Sequence, residues 1–351
     1  MNLLLKNADN GDNLTIPGIC DMHVHLRDPG QTHKEDLLTG TQAAAAGGVT
    51  TVLCMPNTTP PIDTPERVAD IISRSQNCAI KVEVCAAITK GLQGKELTDF
   101  AALKKAGAVA VSDDGMPVIS DDLMKQAMIL AKETGLTIIS HCEPENEMTE
   151  REVRLAAELN APIHIAHVST KTAVDCIRAA KKAGVLVTCE AAPHHFTLTQ
   201  DDIKDSDYKM NPPLRKQEDV DAIIEALCDG TIDCIASDHA PHTAEEKSGD
   251  NPPNGVLGLE TILAVTLTQL YHTNKLTLDR IIQLLCINPR KILSIELNHE
   301  DKAEVNLNEQ WTVETDKLKS KSHNTCFKGM TLKGKVKYTI VNGKVVYDGT
   351  R

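Results

Sequence analysis

His23 and His25 stand two apart in Asp21-Met22-His23-Val24-His25-Leu26-Arg27. In extended chain that spacing sends both imidazoles to one side, a natural pair of metal ligands. Further polar residues follow apolar runs at Asp113-Asp114-Gly115, His141, His167 and Asp238-His239-Ala240-Pro241-His242. Imidazoles and carboxylates without thiolates suit Zn²⁺, with Mn²⁺ and Co²⁺ as chemical neighbours. A carboxylate such as Asp114 bridges two ions, one held by His23, His25 and Asp238, the other by His141 and His167. Such a pair activates one bridging water and polarises a substrate oxygen. Asp238 is placed to take the proton of that water and pass it to the leaving group.

Each fragment alone has a plainer reading. A lone His-x-His is often chance, a buried histidine after a strand is often a satisfied core residue, and Asp-Asp-Gly is usually a turn. Their coincidence after successive runs carries the argument. Asp113 competes with Asp114, and His164 with His167. His164 is followed by Ile165-Ala166, inside its run, and reads as a packing residue. His194-His195 either contribute one functional imidazole or support the site structurally. His33, His272, His299 and His323 read as surface positions. Arg27 lies on the His23/His25 side and reads as a bidentate carboxylate clamp, against the alternative of a salt bridge to a loop. His242, four past Asp238, reaches a second anionic oxygen.

The elements that must bring these residues together alternate. Eight β-branched or apolar runs are separated by amphipathic stretches: Leu14–Cys20, Val49–Met55, Val82–Ile88, Ala108–Ser112, Leu136–Ser140, Ile163–Ala166, Val185–Cys189 and Ile232–Ser237. They lack strict polar alternation, as expected of strands buried on both faces of a parallel sheet. Thr64-Pro65-Glu66 is a helix start. Leu123, Ala127, Leu130 and Ala131 make one apolar stripe closed by Gly135, and Ala173, Val174, Ile177 and Ala180 another closed by Gly184. Eight such units predict an α/β fold, a (β/α)8 TIM barrel over 14–300, whose active site lies at the C-terminal ends of its strands. A doubly wound open sheet is the alternative. Residues 1–13 and 301–351 are expected to form a small, reduced β appendage. In it Val341-Asn342-Gly343-Lys344 marks a hairpin turn, while 300–320 is polar and unpatterned.

The 351 residues suffice for a large core. With 37 Lys+Arg against 49 Asp+Glu, the net charge of −12 argues against binding nucleic acid or anionic membranes. Aromatics at 2% are too sparse for base stacking. No apolar run approaches a membrane span, and Met1–Lys6 does not read as a signal peptide. The 11 cysteines form no Cys-x-x-Cys, and several sit in apolar runs. They read as buried free thiols of a cytoplasmic protein.

The chain resembles the amidohydrolase superfamily, and within it the class I dihydroorotases. The resemblance rests on Pro17–Gly30, Met55-Pro56-Asn57-Thr58, Ser112–Gly115, His141-Cys142-Glu143, His167–Lys171, Pro193-His194-His195, Met210–Arg215, Ser237–His242 and Gly255–Thr261, in family order. It implies a zinc-dependent reversible cyclisation of N-carbamoyl-L-aspartate to L-dihydroorotate, a step of de novo pyrimidine synthesis. It implies His23, His25, Asp114, His141, His167 and Asp238 as ligands of one or two Zn²⁺ ions. Arg27, Asn57, Asn211 and His242 would hold the substrate. The bridging aspartate stands where relatives use a carboxylated lysine, which disfavours a hydantoinase.

Three departures from the family stand out. The segment before Pro17-Gly18 is short, the stretch from His141 to His167 is trimmed, and Glu296–Asn308 lacks the usual Gly-rich β sequence. These suggest a missing lid or interface. A homodimer, or a complex with aspartate carbamoyltransferase as in some relatives, is therefore expected. The rival readings are another cyclic-amide hydrolase, such as an allantoinase, and a non-catalytic partner of the carbamoyltransferase.

Overall fold

The computed structural model describes Leu5–Lys6 and residues 13–350. Eight parallel strands follow one another around a sheet: β3 Ile19–Val24, β4 Val49–Cys54, β5 Lys81–Ala86, β6 Ala110–Val111, β7 Thr137–Ser140, β8 Ile163–Ile165, β9 Val187–Ala191 and β10 Cys234–Ile235. The circle closes between its two ends. Val24 and His239 form a parallel bridge, with the His25 amide donating to the His239 carbonyl at 2.8 Å. Lower down, the buried Asp21 carboxylate accepts the Ser237 amide at 3.1 Å, joining the same two strands through a side chain. The closed (β/α)8 arrangement is the expected one, and the open sheet is excluded.

The strands form because both faces are covered. Val49–Cys54 is buried at every position. Outward residues such as Val52 and Val84 pack under the helices, while Cys20, Met22, Leu53, Cys85, Ala110, Ile139 and Cys234 fill the barrel interior. Burial pushes the Cys20 thiol up to about 11, so these sulfurs act as small apolar fillers. The helices begin where capping side chains satisfy their first amides. Thr64 accepts from Arg67, Ser120 from Leu123 and Thr170 from Ala173. The helix Asp121–Thr134 stops at Gly135, whose φ of 67° reverses the chain into β7.

The run Leu14–Cys20 divides in the structure. Its first half belongs to β2, Asn13–Pro17, which lies outside the barrel. With β1 Leu5–Lys6, β11 Lys302–Thr312, β12 Thr331–Val341 and β13 Lys344–Asp348 it makes an antiparallel sheet in the order β1-β2-β11-β12-β13. Most of the polar stretch near 300–320 is β11. It looks patternless because only one face is covered: Ala303 and Val305 are buried between partly exposed neighbours. Asn342 and Gly343, at φ 50° and 72°, form the β12–β13 turn.

Candidate active site

β3 carries a bulge that matters for the site. Asp21 pairs with Val52 but Val24 with Cys54, so one extra residue is inserted in β3. Met22 packs in the barrel interior, and His23 also turns inward, where strict alternation would send it out. His25 follows on the loop. The Nε2 of His23 lies 3.2 Å from Asp114 Oδ1 and 3.6 Å from Asp238 Oδ1. The Nε2 of His25 lies 3.1 Å from Asp238 Oδ1 and 3.5 Å from Asp114 Oδ2. Across Asp114, His141 Nδ1 sits 3.5 Å from Oδ1 and 2.9 Å from His167 Nε2. The ligating atoms of His23, His25 and Asp114 fall within 4.8 Å of one another, as do those of Asp114, His141 and His167. All six residues expected as ligands therefore converge, with Asp114 between two groups.

The local alternatives separate by direction. Asp113 turns away, accepting the Thr89 amide at 3.0 Å and its hydroxyl, and burial pushes its carboxyl up to about 6. His164 lies below the cluster, 2.9 Å from Thr188 Oγ1 and 3.2 Å from Glu190 Oε2. His194 and His195 are buried beside the site, and His195 Nε2 donates to the Pro212 carbonyl at 3.0 Å, steadying the loop of Asn211. His33, His299 and His323 are exposed, and His272 is half-buried against the Leu307 carbonyl at 2.8 Å.

The cluster is unbalanced without a cation. The Nε2 of His23 is buried with no hydrogen-bond partner although two carboxylates face it. Burial alone would raise the Asp114 carboxyl. His23 and a hydrogen bond from His141 reverse that and hold it well below the usual range. Burial likewise opposes ionisation of Asp238, but His25 and His23 keep its carboxyl low. Burial and the facing His141 and His23 push His167 down to about 3, so its ring is a neutral lone-pair donor. Buried nitrogen and oxygen donors aimed at common points fit a divalent metal. Arg27, His167 and Asp238 hold φ of 57°, 28° and 47°. Non-glycine residues seldom adopt such angles, and functional sites are where they persist.

Glu190 of β9 was not singled out from the sequence. Its Oε1 lies 2.6 Å from His23 Nδ1 and accepts the His167 amide at 3.2 Å. The signal available was a lone acid immediately following an apolar run. Asn57 Oδ1 lies 2.8 Å from His25 Nδ1, and its Nδ2 donates to Asp114 Oδ2 at 2.9 Å. Asn211 lies at the other side, its Nδ2 3.4 Å from His141 Nε2 and bonded to Glu143.

Opposite the carboxylates the pocket is basic. His242 Nδ1 faces Lys34 Nζ at 3.3 Å and its Nε2 faces the Asn254 carbonyl at 2.9 Å. Those partners place the ring proton on Nε2. Burial, Arg27 and Lys34 push the ring down to about 3, so it stays neutral. Arg27 is lowered by burial to about 10 and remains charged. It is tethered by Nε to the Pro241 carbonyl at 3.2 Å. Its Nη2 lies 3.1 Å from His242 Nε2, so the two side chains are held against each other at the pocket wall. The cavity holds about 210 Å³ and is lined by His25, Arg27, Asn57, Asp114, His141, His167, Asn211, Asp238 and His242 among others. A larger cavity of about 620 Å³ between Trp311, Tyr347 and Glu260 contains none of these residues.

The sequence profile of the amidohydrolase family matches residues 14–346. The chain belongs to the amidohydrolase family. Curated relatives named dihydroorotase point the same way. That of Clostridioides difficile (strain 630) is 42% identical over 98% of this chain and 90% of its own. That of Acetivibrio thermocellus is 44% identical over 95% and 87%. Among solved structures, an L-hydantoinase (dihydropyrimidinase) from Arthrobacter aurescens superposes with a TM-score of 0.87 at 25% identity, covering 95% of this chain and 85% of that one. The chain is thus a hydrolytic enzyme of this family, with a metal cofactor and a small-molecule substrate. No described helix is long and apolar enough to cross a membrane.

Proposed function

We propose that the chain is a zinc-dependent dihydroorotase, interconverting N-carbamoyl-L-aspartate and L-dihydroorotate in pyrimidine synthesis. One observation carries this reading within the family. A charged, pocket-facing arginine beside a neutral His242 lies in the same 210 Å³ cavity as the imidazole–carboxylate cluster. That cavity suits a cyclic amide bearing a carboxylate. The dihydroorotase relatives support it.

His23, His25 and Asp238 would hold one Zn²⁺, and His141 and His167 a second, with Asp114 bridging. When bound, the metal supplies Lewis acidity, acidifying a water and polarising the amide carbonyl. Arg27 grips the substrate carboxylate, His242 offers its ring edge beside it, and Asn57 and Asn211 flank the ring. Asp238, buried and hydrogen-bonded to His25 at 3.1 Å, holds and moves the proton. In hydrolysis it takes a proton from the attacking water and delivers it to the ring nitrogen as the C–N bond breaks. Hydrolysis also leaves a new carboxylate and releases a proton; ring closure runs the same path backwards and takes that proton up, so acid pH favours it.

The proposal extends to a cytoplasmic location, supported by 11 free cysteines. It also extends to a homodimer or a complex with aspartate carbamoyltransferase, supported by the short His141–His167 segment. Co-purification under mild, low-salt conditions reads the last point, and separate elution overturns it.

The deciding experiment follows turnover of L-dihydroorotate in both directions, with bound metal counted on the same sample. Turnover that disappears on chelation and returns with Zn²⁺ is expected. Metal-replete protein that ignores dihydroorotate but opens allantoin or hydantoin would replace this reading.

A further inference from the structure

The wall that orients Arg27 and His242 is not built by the barrel alone. Two loops form it, residues 238–242 after β10 and residues 254–257 beyond. Asn324, from the segment between β11 and β12, is inserted between them and is 3% exposed. Its Oδ1 accepts the His242 amide at 3.0 Å. Its Nδ2 donates to the Ala240 carbonyl at 3.2 Å and the Gly255 carbonyl at 3.0 Å. Its backbone carbonyl accepts the Leu257 amide at 2.8 Å. Both donors of the amide and one acceptor are used, all on backbone of the two loops. The loops also meet through the Ala240 amide, which donates to the Val256 carbonyl at 2.8 Å, and through Lys247, which donates to the Pro253 and Gly255 carbonyls at 3.1 and 3.0 Å. Among the described side chains, Asn324 alone bonds both the His242 amide and this second loop.

Resting on the dihydroorotase reading, we propose that Asn324 is a positioning residue for substrate binding. It sets the backbone of His242 against that of Asn254-Gly255, and through His242 fixes the pocket-facing geometry of Arg27. The terminal segment would thereby control affinity for the substrate carboxylate while leaving the metal cluster alone. The segment has other anchors, which should survive substitution at this one position. Phe327 and Cys326 are buried, and Ser322 donates to the Lys34 carbonyl at 2.7 Å.

Asn324→Ala and the near-isosteric Asn324→Asp both remove the two donors. Each should raise KM for L-dihydroorotate about tenfold or more and leave kcat within about threefold, the signature of lost uniform binding. Metal content should be unchanged. A double-mutant cycle on kcat/KM with His242→Ala distinguishes positioning from general weakening. If Asn324 acts through His242, its substitution has little further effect in that background. Hydrogen exchange gives a readout independent of turnover: the amides of His239, Ala240, His242 and 255–258 should lose protection while those of β3 to β9 keep it. Unchanged KM, an additive cycle or unchanged loop exchange overturns the inference. A wild-type protein inactive on dihydroorotate overturns the reaction reading instead, and exchange still decides the loop claim.

Discussion

The Nδ1 of His23 lies 2.6 Å from Glu190 Oε1, and this contact decides which nitrogen faces the cluster. A carboxylate on Nδ1 holds its proton there and leaves the Nε2 lone pair directed at Asp114 and Asp238. Burial would raise the Glu190 carboxyl, but His23 and His164 keep it ionised well below the usual range. The same carboxylate accepts the His167 amide, so one residue orients both halves of the cluster.

Glu190→Gln keeps the shape and removes the charge. Metal affinity should fall about 10–100-fold, the usual loss when a carboxylate behind a ligating histidine is changed. Competition with a chelator of known affinity measures it. Retained affinity would mean that the Glu190 contact only packs.

Asp238→Asn should leave the loops in place and lower kcat about 10²–10⁴-fold, the range for losing a positioned general acid/base. The comparison is made at equal metal occupancy, counted on each sample. Activity within threefold of wild type at full occupancy would move the proton role elsewhere.

Arg27→Met should raise KM for both N-carbamoyl-L-aspartate and L-dihydroorotate, with a smaller effect on kcat. Arg27→Lys should recover little, because a single ammonium lacks the planar fork that grips a carboxylate. Steady-state kinetics in both directions read this. A KM unmoved by Arg27→Met would show that the substrate carboxylate binds elsewhere.

The legible part of the site was its chemistry. Histidines and aspartates standing after successive apolar runs had to converge once the strands closed into a barrel. What stayed hidden depended on direction. Asp113 and Asp114 are neighbours of one type, and only the fold sends the first to Thr89 and the second to the cluster. The β3 bulge could not be read because its cause is pairing with β4. Glu190 looks like the polar end of a strand until three groups meet on it. Asn324 lies 82 positions beyond His242 with no local pattern marking it. In the terminal sheet, single-sided burial disguised β11 as a polar stretch.

Glu260 gives a pH dependence of stability. Burial pushes its carboxyl up to about 7, against the pull of the Ser320 and Lys319 amides that it accepts at 3.1 and 2.7 Å. Unfolded, it titrates near the ordinary glutamate value of about 4.5. Between those values the folded chain binds the extra proton, so this group's contribution falls as pH rises from about 4.5 through about 7 and is level outside that window. Glu260→Gln keeps an acceptor for both amides and removes the titration. Its Tm relative to wild type should be higher at pH 8 than at pH 4. Parallel Tm profiles for the two proteins would refute the assignment.

Arg290 should matter for stability and not for chemistry. It is 3% exposed and, among the described residues, hydrogen-bonds no carboxylate. Its guanidinium donates to the carbonyls of Gly18 and Cys286 at 2.8 and 2.6 Å and to the hydroxyls of Thr50 and Thr51, both at 3.2 Å. Gly18, Thr50 and Thr51 lie at the start of β3 and β4, the end of the barrel away from the active site, and Cys286 lies in the helical segment just before Arg290. Arg290→Met fills much of the volume but strands two buried carbonyls, at about 1–3 kcal/mol each. The Tm should drop by several degrees, while kcat and KM per folded molecule, measured well below the transition, stay within about twofold. A lost activity at full folding would mean that the closed end of the barrel communicates with the cluster through the interior packing of Cys20 and Met22.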